Sequence, residues 1–167
     1  MDKILKPIQY HLLVYGISIV VLILLMIVGQ VIQVDSTEGI VEAIIKGILA
    51  IPLFLYIIMG YKLSVDHWLK DILSIQAISI VGLILWLFVF MNQEYGVLMT
   101  IPEDSLYKWV PVNLFYLPSA MIFMSLEINQ LTPLLKLINV LLPSVLVTLG
   151  SVLRKVVKTK DGMDNIF

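Results

Sequence analysis

A run of 23 residues without a charge, Leu12–Val34, is the feature that most constrains this chain. At about 1.5 Å of rise per residue a helix of that length reaches about 35 Å, enough to cross a hydrocarbon core of roughly 30 Å. Four more apolar segments follow: Ala43–Tyr61, Ile72–Met91, Trp109–Leu126 and Leu134–Leu153. The connections between them are too short to fold alone. Because lipid offers no hydrogen bonds, each spanning segment must satisfy its backbone internally, which a helix does. The expected fold is therefore all-α: a polytopic transmembrane bundle of four or five hydrophobic helices with no soluble domain, residues 1–167 forming one integral membrane domain. A charged content of 14% agrees, against about 25% in ordinary soluble chains.

The head carrying Lys3 and Lys6 resembles a secretory signal, but the run behind it is long for a signal core. It ends in Gln30, Val31, Ile32 and Gln33 without an A-x-A-like site, so a retained first span is expected. Asp35 to Gly39 then break the run. Glu42 and Lys46 stand at i, i+4 with the acid first, the favourable order for a helical pair. Pro52 predicts a kink in the second segment. In the long polar connection Asn92–Lys108, and just beyond it, Tyr95, Tyr107 and Trp109 suit an aromatic belt at a membrane surface. The tail from Thr159 to Phe167 is polar and expected to be mobile.

Segment four is the poorest helix of the five. Pro111 and Pro118 each delete a backbone donor, and Asn113 must find a partner. Hydropathy alone favours five crossings. Charge favours four, because Arg154, Lys155, Lys158 and Lys160 put the C-terminus in the cytoplasm. Lys3, Lys6, Lys62 and Lys70 then agree with a cytoplasmic N-terminus, which requires an even number of crossings. The acidic connections at 35–38 and 94–104 would face outward. Isoleucine- and lysine-rich usage without cysteine suits a bacterial plasma membrane.

The chemistry of the chain is sparse. With no cysteine, thiol redox chemistry and Cys-ligated zinc are excluded. The net charge of −1 argues against a nucleic-acid partner. No serine sits in a G-x-S-x-G-like setting, every aspartate lies outside the apolar segments, and His11 and His67 fall near span ends. Asp66, His67 and Asp71 could ligate a metal but read more simply as a solvated turn. No catalytic, cofactor-binding or metal residue is assigned, and the chain is not expected to be an enzyme or to carry a cofactor.

Polar intramembrane contacts are expected from Asn113 and from one half of segment five: Lys136, Asn139, Ser144, Thr148 and Ser151, with Pro143 and Gly150 on the same side. Such a face packs against other helices or lines a polar path. Ser79 and Gly82, and Gly16 with Ser18, are further candidates for close helix approach. The expected partners are the lipid bilayer and another membrane protein or a second copy. The expected role is that of a non-catalytic accessory, regulatory or immunity-type protein that binds another membrane protein. The alternative is a small transporter or channel component.

Overall fold

The computed structural model describes residues 2–31, 38–63, 68–126, 128 and 132–164. Among them every regular element is helical: α1 Asp2–Val31, α2 Glu38–Leu49, α3 Ile51–Leu63, α4 Trp68–Phe90, α5 Val110–Phe115, α6 Leu117–Ser125 and α7 Pro133–Asp164. A 3-10 helix, Glu103–Trp109, leads into α5. Among the described residues three helical stretches are long and apolar enough to cross a bilayer: Ile8–Ile27, Val41–Leu63 and Pro133–Val157. In α4, 76–90 forms a shorter apolar stretch.

Prolines explain where the helices break. Pro52 has no N–H to offer Ile48, and the chain turns at Ala50, whose N–H reaches Lys46 O at 3.0 Å and Gly47 O at 3.2 Å. The second segment is thus α2 and α3 joined at a kink. Segment four is broken as its prolines foretell. Pro111 and Pro118 stand in the first turns of α5 and α6, and Tyr116 separates the two. At six and nine residues the two pieces rise about 9 and 14 Å, each well short of a bilayer. Even so, they are not peripheral. α6 packs against α1, α2, α3 and α7, and its Pro118, Ser119, Met121, Ile122 and Phe123 are buried.

α4 ends where side-chain amides take its orphan carbonyls, Asn92 Nδ2 donating to Phe88 O at 2.6 Å and Gln93 Nε2 to Val89 O at 3.2 Å. That end of α4 meets the start of α7. Trp86 Nε1 donates to Pro133 O at 2.8 Å, and Leu134 N–H to Val97 O at 3.0 Å. At the other end of α3, the Arg154 guanidinium donates to Tyr61 O at 3.2 Å and Lys62 O at 3.4 Å, capping the helix with a cation on its negative pole. α3 and α7 therefore run side by side with their C-terminal ends at one face.

The seam between α3 and α7 brings backbone against backbone. A Cβ built on Gly60 would lie 2.7 Å from Val147 C and 2.9 Å from its Cα, and one on Gly150 would lie 2.9 Å from Tyr61 N. Real Cβ atoms essentially never come within 3.0 Å, so only glycine lets these backbones touch.

Two expectations are corrected. Trp109 is not at a lipid interface: it is fully buried, donates to Tyr95 Oη at 2.8 Å and lies 6.3 Å from the Trp86 ring, while Tyr107 is exposed. Gly16 is no close-approach point, since nothing lies within 4 Å of a Cβ placed there. The polar tail continues α7 as far as Asp164, although Thr159, Asp161 and Gly162 are weak helix formers. The expected Glu42–Lys46 pair is present at 2.6 Å.

Candidate functional site

His11 sits in the first turns of the apolar part of α1 and is 1% exposed. It ties three elements together. Its Nε2 lies 3.1 Å from Phe115 O, and Phe115 closes α5, where helical carbonyls lose their intrahelical partners. A carbonyl only accepts, so Nε2 carries the ring proton. The neutral ring then accepts at Nδ1 from Tyr56 Oη, 2.9 Å away on α3. Phe115 and Tyr116 pack on the imidazole at centroid distances of 5.0 and 5.7 Å. Tyr116 is itself buried, and its hydroxyl donates to Ile78 O on α4, across the surface left open by Gly82.

A second polar group forms around the start of α7. Lys136 is buried, and its ammonium donates to Asn113 Oδ1 on α5 at 2.7 Å. Among the described residues it makes no ion pair. One turn on, Pro143 withholds the N–H that would bond Asn139 O. Ser119 Oγ lies 3.1 Å from that carbonyl and 3.0 Å from Tyr116 O. The hydroxyl has one proton. Tyr116 O already receives the Ala120 N–H at 2.9 Å, so the Asn139 carbonyl is the one in need. The Asn139 side chain fares differently. It is fully buried, and neither Nδ2 nor Oδ1 meets a hydrogen-bond partner. Each such group costs about 1–3 kcal/mol.

Further along α7, Ser79 Oγ of α4 donates to Ser144 Oγ at 2.6 Å, and Thr148 Oγ1 returns to Ser144 O in its own helix at 2.7 Å. Ser151 is buried next to Gly150, at the seam with α3.

The six residues singled out from sequence thus do not converge on one centre. Asn113 and Lys136 meet directly, Ser144 and Thr148 are joined through a carbonyl, and Asn139 and Ser151 stand apart. Sequence reasoning set His11 aside as a span-end residue and overlooked Tyr56, Phe115 and Ser119. Its one available signal was spacing. His11, Val14 and Ser18 are all buried and fall on one helical stripe. Asp66 and His67 lie outside the described residues, as does the Asp71 side chain. Among the described residues no three His, Asp or Glu side chains gather to hold a metal ion.

A cavity of 340 Å3 opens beside His11, lined by His11, Leu12 and Tyr15 of α1, Leu85 of α4, and Pro111, Leu114 and Phe115 of α5. Compared with protein-family models, with curated proteins and with solved structures, the chain matches none.

Proposed function

We propose that the chain is an integral membrane protein with four crossings, α1, α2 with α3, α4, and α7, both termini lying on the cytoplasmic side of a bacterial plasma membrane. Two contacts support the count. The bonds of Trp86 to Pro133 O and of Leu134 to Val97 O hold the end of α4 beside the start of α7, so the chain between them leaves and re-enters at one face. The Arg154 cap on α3 joins the opposite ends. In this arrangement α5 and α6 are a broken element held inside the bundle, where irregular backbone at membrane depth is tolerated. Single-cysteine labelling of intact cells with an impermeant reagent tests it. Replacements of Ser36 and Ser105 should label and those of Ser64 and Thr159 should not. Labelling at Ser64 alone would mean five crossings, and labelling at Thr159 would overturn the C-terminal placement.

The proposed role is that of a non-catalytic accessory, regulatory or immunity-type protein that binds another membrane protein. The observation that carries it is α1. Ser18 is its last buried residue among those described, and beyond it Val20, Ile23, Leu24, Met26 and Ile27 are all more than half exposed. The interior polar side chains of the bundle are meanwhile engaged mainly between its own helices. A photo-crosslinking residue at Leu24 should yield one discrete protein adduct that Ile23→Ser weakens. Repeated recovery of the uncrosslinked chain alone would count against the role.

A transporter or channel component is the second reading, favoured by Lys136 and Asn139, which among the described residues have, respectively, no ion pair and no side-chain hydrogen-bond partner. Ionisable groups inside membranes mark ion and substrate paths often enough to keep it. Its path would use Asn113, Asn139, Ser144 and Thr148. Liposome flux equal to that of empty vesicles, across ions and small solutes, would remove it.

A further inference from the structure

The cavity beside His11 falls, at 340 Å3, within the roughly 300–1,000 Å3 of small-molecule pockets. The chemistry of its lining limits what can enter. Both nitrogens of the His11 ring are engaged, one by Tyr56 and one by the Phe115 carbonyl, so the ring offers a guest only carbon. The walls are Leu12, Leu85, Pro111 and Leu114. A water there would need two to four polar partners, and the Tyr15 hydroxyl is the one side-chain group left to supply them. A guest with a hydrogen-bonding head, such as a quinone, finds only the Tyr15 hydroxyl to pair with.

The cavity also opens in a particular direction. Leu12 and Leu114, which both line it, are each 54% exposed. Its mouth therefore lies along the flank of α1, within the stretch Ile8–Ile27 that is long and apolar enough to cross a bilayer. On the membrane reading above, the medium at that mouth is hydrocarbon. We infer that the cavity is a binding site for one hydrocarbon chain of a membrane lipid, entering sideways between α1 and α5 and ending against the His11 ring. The inference rests on membrane insertion and is independent of which protein α1 binds.

The test compares two neighbours on α1. Leu12 lines the cavity and Leu13 does not, yet Leu13 is 58% exposed and one residue away. A photo-crosslinking residue is placed at each, the full-length chain is irradiated in cells, exchanged into lipid-free detergent and irradiated again, and adducts are weighed. A held chain gives a lipid adduct at both steps from position 12, several-fold above position 13 after exchange. The adduct mass separates an intact phospholipid from a free fatty acid as the source of the chain. Leu85→Trp, which fills the cavity, should abolish the retained adduct. Leu85→Ala, which enlarges it, should keep or raise the yield and covers the case in which the larger residue prevents folding. Equal retained yields at positions 12 and 13, or a yield at 12 that Leu85→Trp leaves unchanged in a folded protein, would overturn the site and leave only ordinary surrounding lipid. Alkaline carbonate washing of the same cells tests insertion separately, because a chain that stays with the membrane pellet keeps the premise whatever the adducts show.

Discussion

Replacing Gly60 by alanine adds one methyl where α3 and α7 touch backbone to backbone, and the cost can be worked from the geometry. The new Cβ would press first on the carbonyl oxygen of Val147 and stand 2.7 Å from its carbonyl carbon, while ordinary contact begins at 3.4 Å. The two backbones must part by at least about 0.7 Å, since backbone atoms cannot rotate aside as a side chain would. Overpacking of this kind costs about 1–3 kcal/mol, and rigid neighbours put it at the upper end. Alanine returns about 1 kcal/mol through its better helix propensity. A net loss of about 2 kcal/mol follows, close to a thirtyfold fall in the folding constant. Gly16→Ala is the matched control: with nothing within 4 Å it should be neutral or gain up to about 1 kcal/mol. Reversible unfolding in mixed micelles, followed by circular dichroism, measures both. Gly60→Ala and Gly150→Ala should combine to less than their sum, because either one already parts the same helices. If Gly60→Ala and Gly16→Ala agreed within about 0.5 kcal/mol, the close seam would not exist as described.

His11→Leu leaves the Tyr56 hydroxyl and the Phe115 carbonyl without partners and should cost about 2–4 kcal/mol in the same assay, with Tyr56→Phe costing less in that background than alone. Ser119→Ala should cost about 1–2 kcal/mol by stranding the Asn139 carbonyl. In a Pro143→Ala chain, which restores the missing N–H, the same change should cost markedly less, and an unchanged cost would refute the role given to Ser119. Asn139→Leu removes an amide that has no partner and should be neutral or stabilising by about 1 kcal/mol. A clear destabilisation would mean that the amide is satisfied in the membrane.

The helical class was legible in the sequence because hydrophobic run length speaks directly to bilayer thickness, and the proline positions foretold both the kink near Ala50 and the division at Tyr116. The polar half of α7 was legible from helical spacing. Among the residues named for it, Lys136, Asn139, Pro143, Ser144, Gly150 and Ser151 are buried. Depth and partnership were not. Trp109 looks like an interface residue until the loop before it folds over the bundle and covers it. His11 looks peripheral because one sequence cannot show that Tyr56 and Phe115, 45 and 104 residues away, arrive on either side of its ring. Gly16 and Gly60 are equally small, and only the neighbouring helix decides which one is needed.

The bonds of α5 and α6 carry a consequence for how the chain is made. Asn113 waits for the Lys136 ammonium, and the carbonyl that Ser119 serves belongs to Asn139. Both partners lie on α7, which a ribosome delivers last. Until then the proline-broken element, too short to cross a bilayer, is tied to earlier helices by the Tyr116 hydroxyl on Ile78 O and by the His11 bond to Phe115 O, while Asn113 and Ser119 have yet to meet their α7 partners. The last helix made thus completes the polar contacts of the element that precedes it, and a chain that stalls before Lys136 would leave both Asn113 and Ser119 without their α7 partners.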